Sequence, residues 1–240
     1  ASMSRHSHCA KIKRGKGSSD VQRGKLFSKL ARLITVAARD GGLDPAFNFR
    51  LRLIIERAKA DAMPKDAIER ACVRGGGVGG DAIIETVLYE VFGPDGAAVL
   101  VECLTDNRNR ALGEVKGVCI KQHGHLGGEG SIRWQFDRRG VVEFSGSLAD
   151  DVELALIEAG ADDIRRETDH VVVLTAVEDL QKVREAVVAA GLTVTDAELA
   201  WIPKQLIDLP DTDREAFEHL LAAFDDCDDV QEVYTNVRGY

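Results

Sequence analysis

The chain has 240 residues, and its 31 Lys and Arg against 40 Asp and Glu give a formal net charge of −9. This length predicts one large domain or two to three small ones, and a hydrophobic content of 45% is typical of a folded protein rather than a disordered one. No run of about 18 apolar residues occurs, so we expect no membrane span, and the polar, basic first residues predict no secretory signal.

Five cysteines are scattered along the chain without a Cys-x-x-Cys pair. An odd number of separated cysteines favours reduced thiols over a disulfide framework, and reduced thiols are typical of the cytoplasm. We therefore expect a cytoplasmic protein.

Charge is strongly segregated along the chain. Residues 1–80 contain 17 basic and 7 acidic residues, a net charge of +10, whereas residues 81–240 contain 14 basic and 33 acidic residues, a net charge of −19. A segregated basic segment can bind nucleic acid locally even when the whole protein is acidic. The basic first third is therefore the main indication of function.

Residues 20–40 read as an amphipathic helix that ends at Gly41-Gly42. Its apolar residues from Leu26 to Ala37 form one stripe. The opposite face carries four cations and no carboxylate before Asp40: Lys25, Lys29, Arg32 and Arg39. This cationic stripe favours a surface that faces a polyanion, and the alternative is an ordinary solvated face.

Two further helices complete the basic segment. Asp44-Pro45 resembles an N-cap followed by a first-turn proline, and the next helix is expected to bury Phe47 and Leu51. A short third helix follows Met63-Pro64 and ends at the glycine-rich residues 75–80. The Lys-, Arg-, Gly- and Ser-rich residues 4–19 have too few apolar residues to fold alone. Residues 1–80 are thus predicted to form a basic helical domain with a flexible N-terminal tail.

The acidic remainder reads as two α+β units. Residues 85–92 and 97–104 are predicted strands before a helix at 107–121, and residues 200–207 and 230–235 are predicted strands around another helix. Each of these groups is incomplete alone, so we expect a discontinuous domain formed by residues 81–130 plus 200–240. The fold class is therefore α+β, with an N-terminal helical domain followed by two α+β domains, the third inserted into the second.

The inserted domain is expected at residues 131–199. We predict short strands at 132–136 and 141–144, joined by a hairpin turn at Arg138-Arg139-Gly140. Helices at 148–159 and 177–190 and strands at 164–167, 171–175 and 192–199 would complete a unit with helices on one face of an antiparallel sheet.

The densest polar motif runs from Thr105 to Arg110, where a strand end meets a helix start. Thr105 or Asp106 is expected to cap the helix. Arg108 and Arg110 oppose the helix macrodipole in the first turn, and this arrangement is typical of a phosphate-binding position. The alternative is an ion pair with a carboxylate at a domain interface.

Other polar clusters do not indicate catalysis or metal binding. His6, His8 and Cys9, and likewise His123 and His125, lack the spacing of zinc ligands. The glycine-rich residues 127–130 lack a lysine and lead into a strand, which favours a turn over a nucleotide-binding loop. The acidic residues at 225–229 fail the calcium-loop spacing and are expected to form a solvated turn. No nucleophile–base pair is visible, so we expect no catalytic residue, no metal and no cofactor.

Several short motifs resemble the YebC family, and they span the chain from Met3 onwards. They are His6-Ser7, Ile12-Lys13, Arg23-Gly24-Lys25, Gly41-Gly42, Asp44-Pro45, Met63-Pro64-Lys65-Asp66, Tyr89-Glu90, Gly93-Pro94, residues 105–110, Gly130-Ser131, Ile202-Pro203-Lys204 and residues 233–236. The chain departs from the family pattern at His8-Cys9, where Lys-Trp is usual. The resemblance implies a three-domain protein in gene expression, either a DNA-binding transcriptional regulator or a ribosome-associated translational activator.

We therefore predict a non-catalytic nucleic-acid-binding regulator whose partners are DNA or ribosomal RNA, with the ribosome as a further partner and no membrane. The stripe contains no Asn or Gln to read adenine edges, which favours structured RNA over a specific DNA site. The alternatives are a protein-interaction adaptor that uses the acidic body, or an enzyme that processes RNA or nucleotides. The predicted nucleic-acid-binding residues are Lys11, Lys13, Arg14, Lys16, Arg23, Lys25, Lys29, Arg32, Arg39, Arg108 and Arg110.

Overall fold

The computed structural model describes residues 20–77 and 83–240. The predicted N-terminal tail, with Lys11, Lys13, Arg14, Lys16 and the His6–Cys9 cluster, lies outside the described residues. The described part of the N-terminal domain consists of three helices: α1 (Asp20–Gly41), α2 (Phe49–Ala60) and α3 (Lys65–Gly75).

The three helices pack around a small apolar core formed by Leu30, Ile34, Leu51 and Ile68 with their neighbours. Helices α1 and α3 approach closely at Gly75. A Cβ atom at this position would lie 2.5 Å from the carbonyl oxygen of Thr35, so only glycine fits there. The helical expectation for this part of the chain is confirmed, and the glycine that we expected only to stop α3 also permits the helix contact.

The start of α2 differs from the expectation. Asp44-Pro45 forms a turn, and the N-cap is Asn48, whose side chain accepts a hydrogen bond from the Leu51 backbone N–H at 3.0 Å. The Asn48 amide also donates to the carbonyl oxygens of Ala37 and Gly42, both at 2.7 Å. These three bonds fix the connection between α1 and α2. Phe47 therefore precedes the helix and is 90% exposed, rather than buried as predicted.

The first sheet has the strand order β3-β1-β2-β8, and every pairing in it is antiparallel. The last strand of the chain thus completes a sheet that the first two strands begin. Two helices pack on one face of the sheet, around Val99, Val115, Phe217 and Phe224. The bounds are β1 (Glu85–Phe92), β2 (Ala98–Thr105), α4 (Arg108–Lys121), β3 (His125–Leu126), α7 (Asp211–Asp225) and β8 (Val230–Thr235).

The second sheet is formed by the residues between β3 and α7, and it has the antiparallel order β5-β6-β4-β7. Two helices cover its outer face around Phe144, Leu156, Val173 and Val187. The bounds are β4 (Phe136–Ser145), α5 (Asp150–Glu158), β5 (Ala161–Arg166), β6 (Val171–Thr175), α6 (Leu180–Ala189) and β7 (Thr193–Pro203).

The predicted hairpin at Arg138-Arg139-Gly140 is wrong, because these residues lie inside the continuous strand β4. Residues 133–135 form a single 3-10 turn instead of a strand. Gly140 is required for close packing and not for a turn, since a Cβ atom there would lie 2.3 Å from the Thr175 hydroxyl oxygen.

Strand β7 also runs further than expected. It continues from Thr193 to Pro203, and residues 200–203 pair with residues 136–139 of β4. The predicted domain boundary between residues 199 and 200 would therefore divide one strand. A boundary after Pro203 agrees with the strand pairing, and the domain limits otherwise stay a prediction.

The two sheets face each other across a shared apolar cluster that includes Leu100, Tyr234, Val141 and Leu174. Strand β2 shows the resulting alternation: Val99 and Val101 point to the helices of the first sheet, and Ala98 and Leu100 point to the second sheet. Both faces of β2 are buried, which explains its nearly continuous apolar sequence. The predicted fold class is confirmed: a helical domain precedes two α+β domains, and the third is inserted into the second.

Candidate nucleic-acid interface

Cations of the α1 stripe contact another part of the same chain, near its C-terminus. The contact surface is the acidic loop, which we define as residues 225–229, from the last residue of α7 to the residue before β8. Lys25 Nζ donates to the Asp226 carbonyl oxygen at 3.0 Å and lies 3.2 Å from Asp226 Oδ1. Lys29 Nζ donates to the Asp225 carbonyl oxygen at 2.9 Å, and Lys29 is only 6% exposed. Lys25 and Lys29 of the stripe therefore face the body of the protein and not open solvent.

Arg32 extends the same contact by one more turn of α1. Its guanidinium donates to the Asp228 carbonyl oxygen, and Arg32 Nη2 lies 3.1 Å from Asp229 Oδ1. Three cations thus converge on the C-terminal end of α7, where carbonyl groups lack helical partners and the helix dipole is negative. The exposed Lys25–Asp226 pair contributes about 0–1 kcal/mol, because solvent screens it.

Asp229 is the centre of the contact and does not form a solvated turn as predicted. Its side chain is 1% exposed. Arg110 Nε and Nη2 both donate to this carboxylate at 2.9 Å, and the Thr105 hydroxyl donates to it at 2.9 Å. Arg32 of the N-terminal domain forms an ion pair with the same carboxylate. One buried carboxylate therefore joins α1, the start of α4 and the acidic loop.

The 105–110 motif has a different internal arrangement from the one expected. Asn107 is the N-cap of α4, since its side chain accepts from the Arg110 backbone N–H at 3.0 Å. Thr105 and Asp106 do not cap the helix. The Arg110 side chain forms an ion pair with a carboxylate at a domain interface, which was the second of the two alternatives. Its hydrogen bond also lowers the pKa of the Asp106 carboxyl.

The remaining predicted cations are separate from this centre. Arg108 is largely exposed and bonds the Glu85 carboxylate. Arg39 donates hydrogen bonds to the Asp40 carboxylate and to the Ile84 carbonyl oxygen. Arg23 is exposed near the start of α1. The structure thus brings together Lys25, Lys29, Arg32 and Arg110, and it leaves Arg23 and Arg108 facing solvent.

The glycine-rich residues 127–130 form a turn that leads into the inserted domain. Glu90, which is buried, accepts hydrogen bonds from the backbone N–H groups of Gly130, Ile132 and Arg133. Burial by itself raises the pKa of the Glu90 carboxyl, but these hydrogen bonds outweigh burial, and the pKa lies below its ordinary value. The N–H groups that an anion could have bound are therefore occupied by a carboxylate of the protein.

A cleft of about 580 Å³ between α2 and the two sheets was not foreseen from the sequence. Its carboxylates include Glu102, Glu198 and Glu232, and they lie near Arg57 and Arg138. Burial raises the pKa of the Glu198 carboxyl well above its ordinary value, and Asp196 and Glu232 raise it further. These residues come from four strands and from α2, so no local sequence pattern indicates that they lie together. The described lining contains no Ser, Cys, His or Lys.

No group of three or more His, Cys, Asp or Glu residues in 20–77 and 83–240 is arranged to hold a metal ion. No helix within the same ranges is long and apolar enough to cross a membrane.

These features define a class of protein: a small helical domain with an excess of basic residues, docked through its first helix onto two α+β domains that share an apolar cluster. A family model described as the TACO1/YebC protein N-terminal domain matches residues 7–78. A second model, described as the TACO1/YebC second and third domain, matches residues 84–237. The chain belongs to the TACO1/YebC family.

Individual relatives match over nearly the whole chain. A protein of Desulfosudis oleivorans is 47% identical over 236 residues, covering 98% of this chain and 96% of its own. One of Pelotomaculum thermopropionicum is 46% identical over 238 residues, covering 98% of both chains. Each is named a probable transcriptional regulatory protein. The crystal structure of a conserved hypothetical protein from Aquifex aeolicus has a TM-score of 0.83 and 39% identity, with 97% of both chains covered.

Proposed function

We propose that this protein is a non-catalytic regulator of gene expression that binds nucleic acid through its basic N-terminal domain. The observation that carries the proposal is the charge segregation: residues 1–80 have a net charge of +10 on a protein of net charge −9. Phosphate neutralisation by Lys and Arg supplies most of the affinity of such segments. The names of the relatives as probable transcriptional regulatory proteins support a regulatory role.

Within the N-terminal domain, the first candidates for phosphate contacts are the basic residues that precede α1 in the sequence and Arg23 at its start. Five basic residues and no acidic residue precede Asp20. Arg23 is exposed near the same end of α1. We infer that these residues make the initial phosphate contacts, with Arg108 as an exposed candidate on the body. We favour structured RNA as the ligand, because phosphate contacts alone do not read a DNA sequence.

The residues that line the cleft favour a non-catalytic regulator over an enzyme that processes RNA or nucleotides. A buried carboxyl group with a raised pKa is a feature of many catalytic sites. Here its neighbours are further carboxylates and arginines, and the described lining contributes neither a nucleophilic Ser or Cys nor a His base. The cleft also offers no excess of positive charge to bind a polyanion.

A salt titration tests the proposal. The affinity of the full chain is measured for a structured RNA and for a DNA duplex of similar length, each over a range of salt concentrations. Replacing Lys11, Lys13, Arg14 and Lys16 with Ala should weaken binding and reduce the slope of log affinity against log salt by about three to four units, because each lost phosphate contact removes about 0.7–0.9.

The matched control replaces Arg139, Arg165, Arg166 and Lys182 of the inserted domain with Ala. This control removes the same charge from the molecule, so it separates a local contact from a general effect of net charge. The proposal fails if both quadruple variants change the slope equally. It also fails if neither nucleic acid binds the unmodified chain at low salt.

A further inference from the structure

The contact between α1 and the acidic loop is formed by ligands that resemble a nucleic-acid backbone. Lys25, Lys29 and Arg32 are three of the four cations of the stripe, and each binds at least one oxygen of residues 225–229. Carboxylate oxygens present full negative charge to these cations, and carbonyl oxygens at a helix C-terminus present partial negative charge. Both resemble phosphate oxygens in this respect. The body thus occupies the same cations that would bind phosphates.

The contact also has the features of one that can separate. The Asp226 side chain is 82% exposed although it pairs with Lys25. The apolar contacts of α1 with the body are limited to a small cluster in which Leu33 and Val36 meet Ile84 and Leu104. A single chain crossing, between α3 and β1, connects the N-terminal domain to the body. The fully buried residues of each domain's apolar cluster all come from that domain, and only the partly buried Phe49 and Leu53 of α2 extend to the cluster of the inserted domain, so separation at this seam would leave the three cores assembled.

We propose that the α1 face bearing Lys25, Lys29 and Arg32 is a polyanion-binding surface that the acidic loop covers in the closed chain, and that nucleic acid displaces the loop from it. This inference rests on the proposed function and adds its regulation. In the closed chain only the exposed cations are available for binding. Displacement of the loop exposes three more, so affinity and salt dependence rise together.

The first test opens the seam by charge reversal. Asp226→Lys places a cation opposite Lys25 at an exposed position, and Glu158→Lys makes the same change in net charge at an exposed position of α5. For the same structured RNA, Asp226→Lys should bind at least about threefold more tightly than Glu158→Lys. Its slope of log affinity against log salt should be steeper by about one to three units, because up to three cations gain phosphate contacts.

A double-mutant cycle separates release of the stripe from the added charge. Lys25→Ala should weaken RNA binding more in the Asp226→Lys background than in the unmodified chain, because Lys25 is free only when the loop is displaced. If Lys25→Ala has the same effect in both backgrounds, the displacement proposal is overturned. Circular dichroism of each variant verifies that the fold is retained.

The second test follows the loop directly through Cys227, which is a free thiol in its centre. Burial raises the pKa of this thiol to about 11, so it should react slowly with iodoacetamide in the closed chain. Saturating RNA should accelerate its alkylation, measured by peptide mass spectrometry, whereas Cys72 in α3 serves as the internal reference. An unchanged or slower reaction of Cys227 with RNA bound would overturn the displacement.

The two proposals fail in different ways. If RNA binds, Asp226→Lys matches Glu158→Lys, and the Cys227 rate is unchanged, the displacement is wrong and the proposed function stands. If neither the unmodified chain nor Asp226→Lys binds RNA or DNA at low salt, the proposed function is wrong, and the polyanion surface is rejected with it.

Discussion

Asp229 and Glu90 are buried carboxylates that receive their hydrogen bonds from different groups. Asp229 is bound by the side chains of Arg32, Arg110 and Thr105, so its environment depends on three separate segments. Glu90 is bound mainly by backbone N–H groups of one turn. A buried charge is stable only when it is paired or fully hydrogen-bonded. Each carboxylate therefore fixes the position of the segments around it.

Glu90 leads to a prediction about pH. Glu90→Gln should lower the free energy of unfolding at neutral pH by about 1.5–3 kcal/mol, because hydrogen bonds to a charged acceptor are lost. The folded pKa of Glu90 lies below the ordinary value of 4.5. The difference between variant and unmodified chain should therefore be complete above about pH 4.5 and shrink as the pH falls through the folded pKa.

Urea unfolding at several pH values measures this difference. The control is Glu129→Gln, which neutralises an exposed carboxylate in the same turn. A stability difference for Glu90→Gln that persists unchanged at pH 2 would contradict an effect of ionisation.

At the scale of elements, the first turn of α4 combines a cap with two arginines of different roles. Asn107 provides the cap, so the helix start does not depend on the arginine side chains. The Arg110 guanidinium makes a two-point contact with the buried Asp229, whereas the Arg108–Glu85 pair is exposed on both sides. Two arginines that lie two positions apart thus have different energetic weight.

We expect Arg110→Gln to lower the free energy of unfolding by about 1–3 kcal/mol, because Asp229 stays buried with fewer hydrogen bonds. Arg108→Gln is the matched comparison and should change stability by less than about 0.5 kcal/mol. Chemical denaturation of the two single variants gives the comparison. Equal losses of stability would show that the Asp229 pair has no special weight.

At the scale of the whole molecule, the two sheets are not independent layers. The cluster around Leu100 and Tyr234 in the first sheet is completed by Val141, Leu174 and Ala200 in the second sheet. The inserted domain nevertheless has an apolar core of its own, between β4, β6 and its two helices. It is therefore a folding unit whose inner face depends on the rest of the chain.

This arrangement predicts how isolated pieces behave. A fragment of residues 131–204 should fold, because its own core is complete, but it should melt at a lower temperature than the full chain, because the shared cluster is exposed. A fragment of residues 131–199 should be less stable again, since it lacks the residues that pair with residues 136–139 of β4. Thermal melts followed by circular dichroism measure the order, and equal melting temperatures for the two fragments would contradict the placement of the boundary after Pro203.

The sequence alone determined the elements with strong local patterns. The apolar stripe predicted a helix over 20–40, where the structure has α1 at Asp20–Gly41, and the predicted strand at 171–175 is β6 (Val171–Thr175), because periodicity and propensity act within one element. Incomplete hydrophobic faces were enough to predict that β8 completes the first sheet. Local patterns failed where two signals competed: Asp44-Pro45 matched a helix start, but Asn48 forms three hydrogen bonds that the sequence does not display.

Only the tertiary structure decided what the polar groups contact. The positions of Lys25, Lys29 and Arg32 on one helix face follow from the helical repeat. Their partners in residues 225–229, however, lie 196 to 201 positions further along the chain. Arg110 and Asp229 are likewise far apart in sequence and paired in space, and the cleft carboxylates also come from distant parts of the chain. Charge patterns specify which groups need partners, whereas the packing of the domains selects those partners, because electrostatic pairing depends on distance in space and not on separation in sequence.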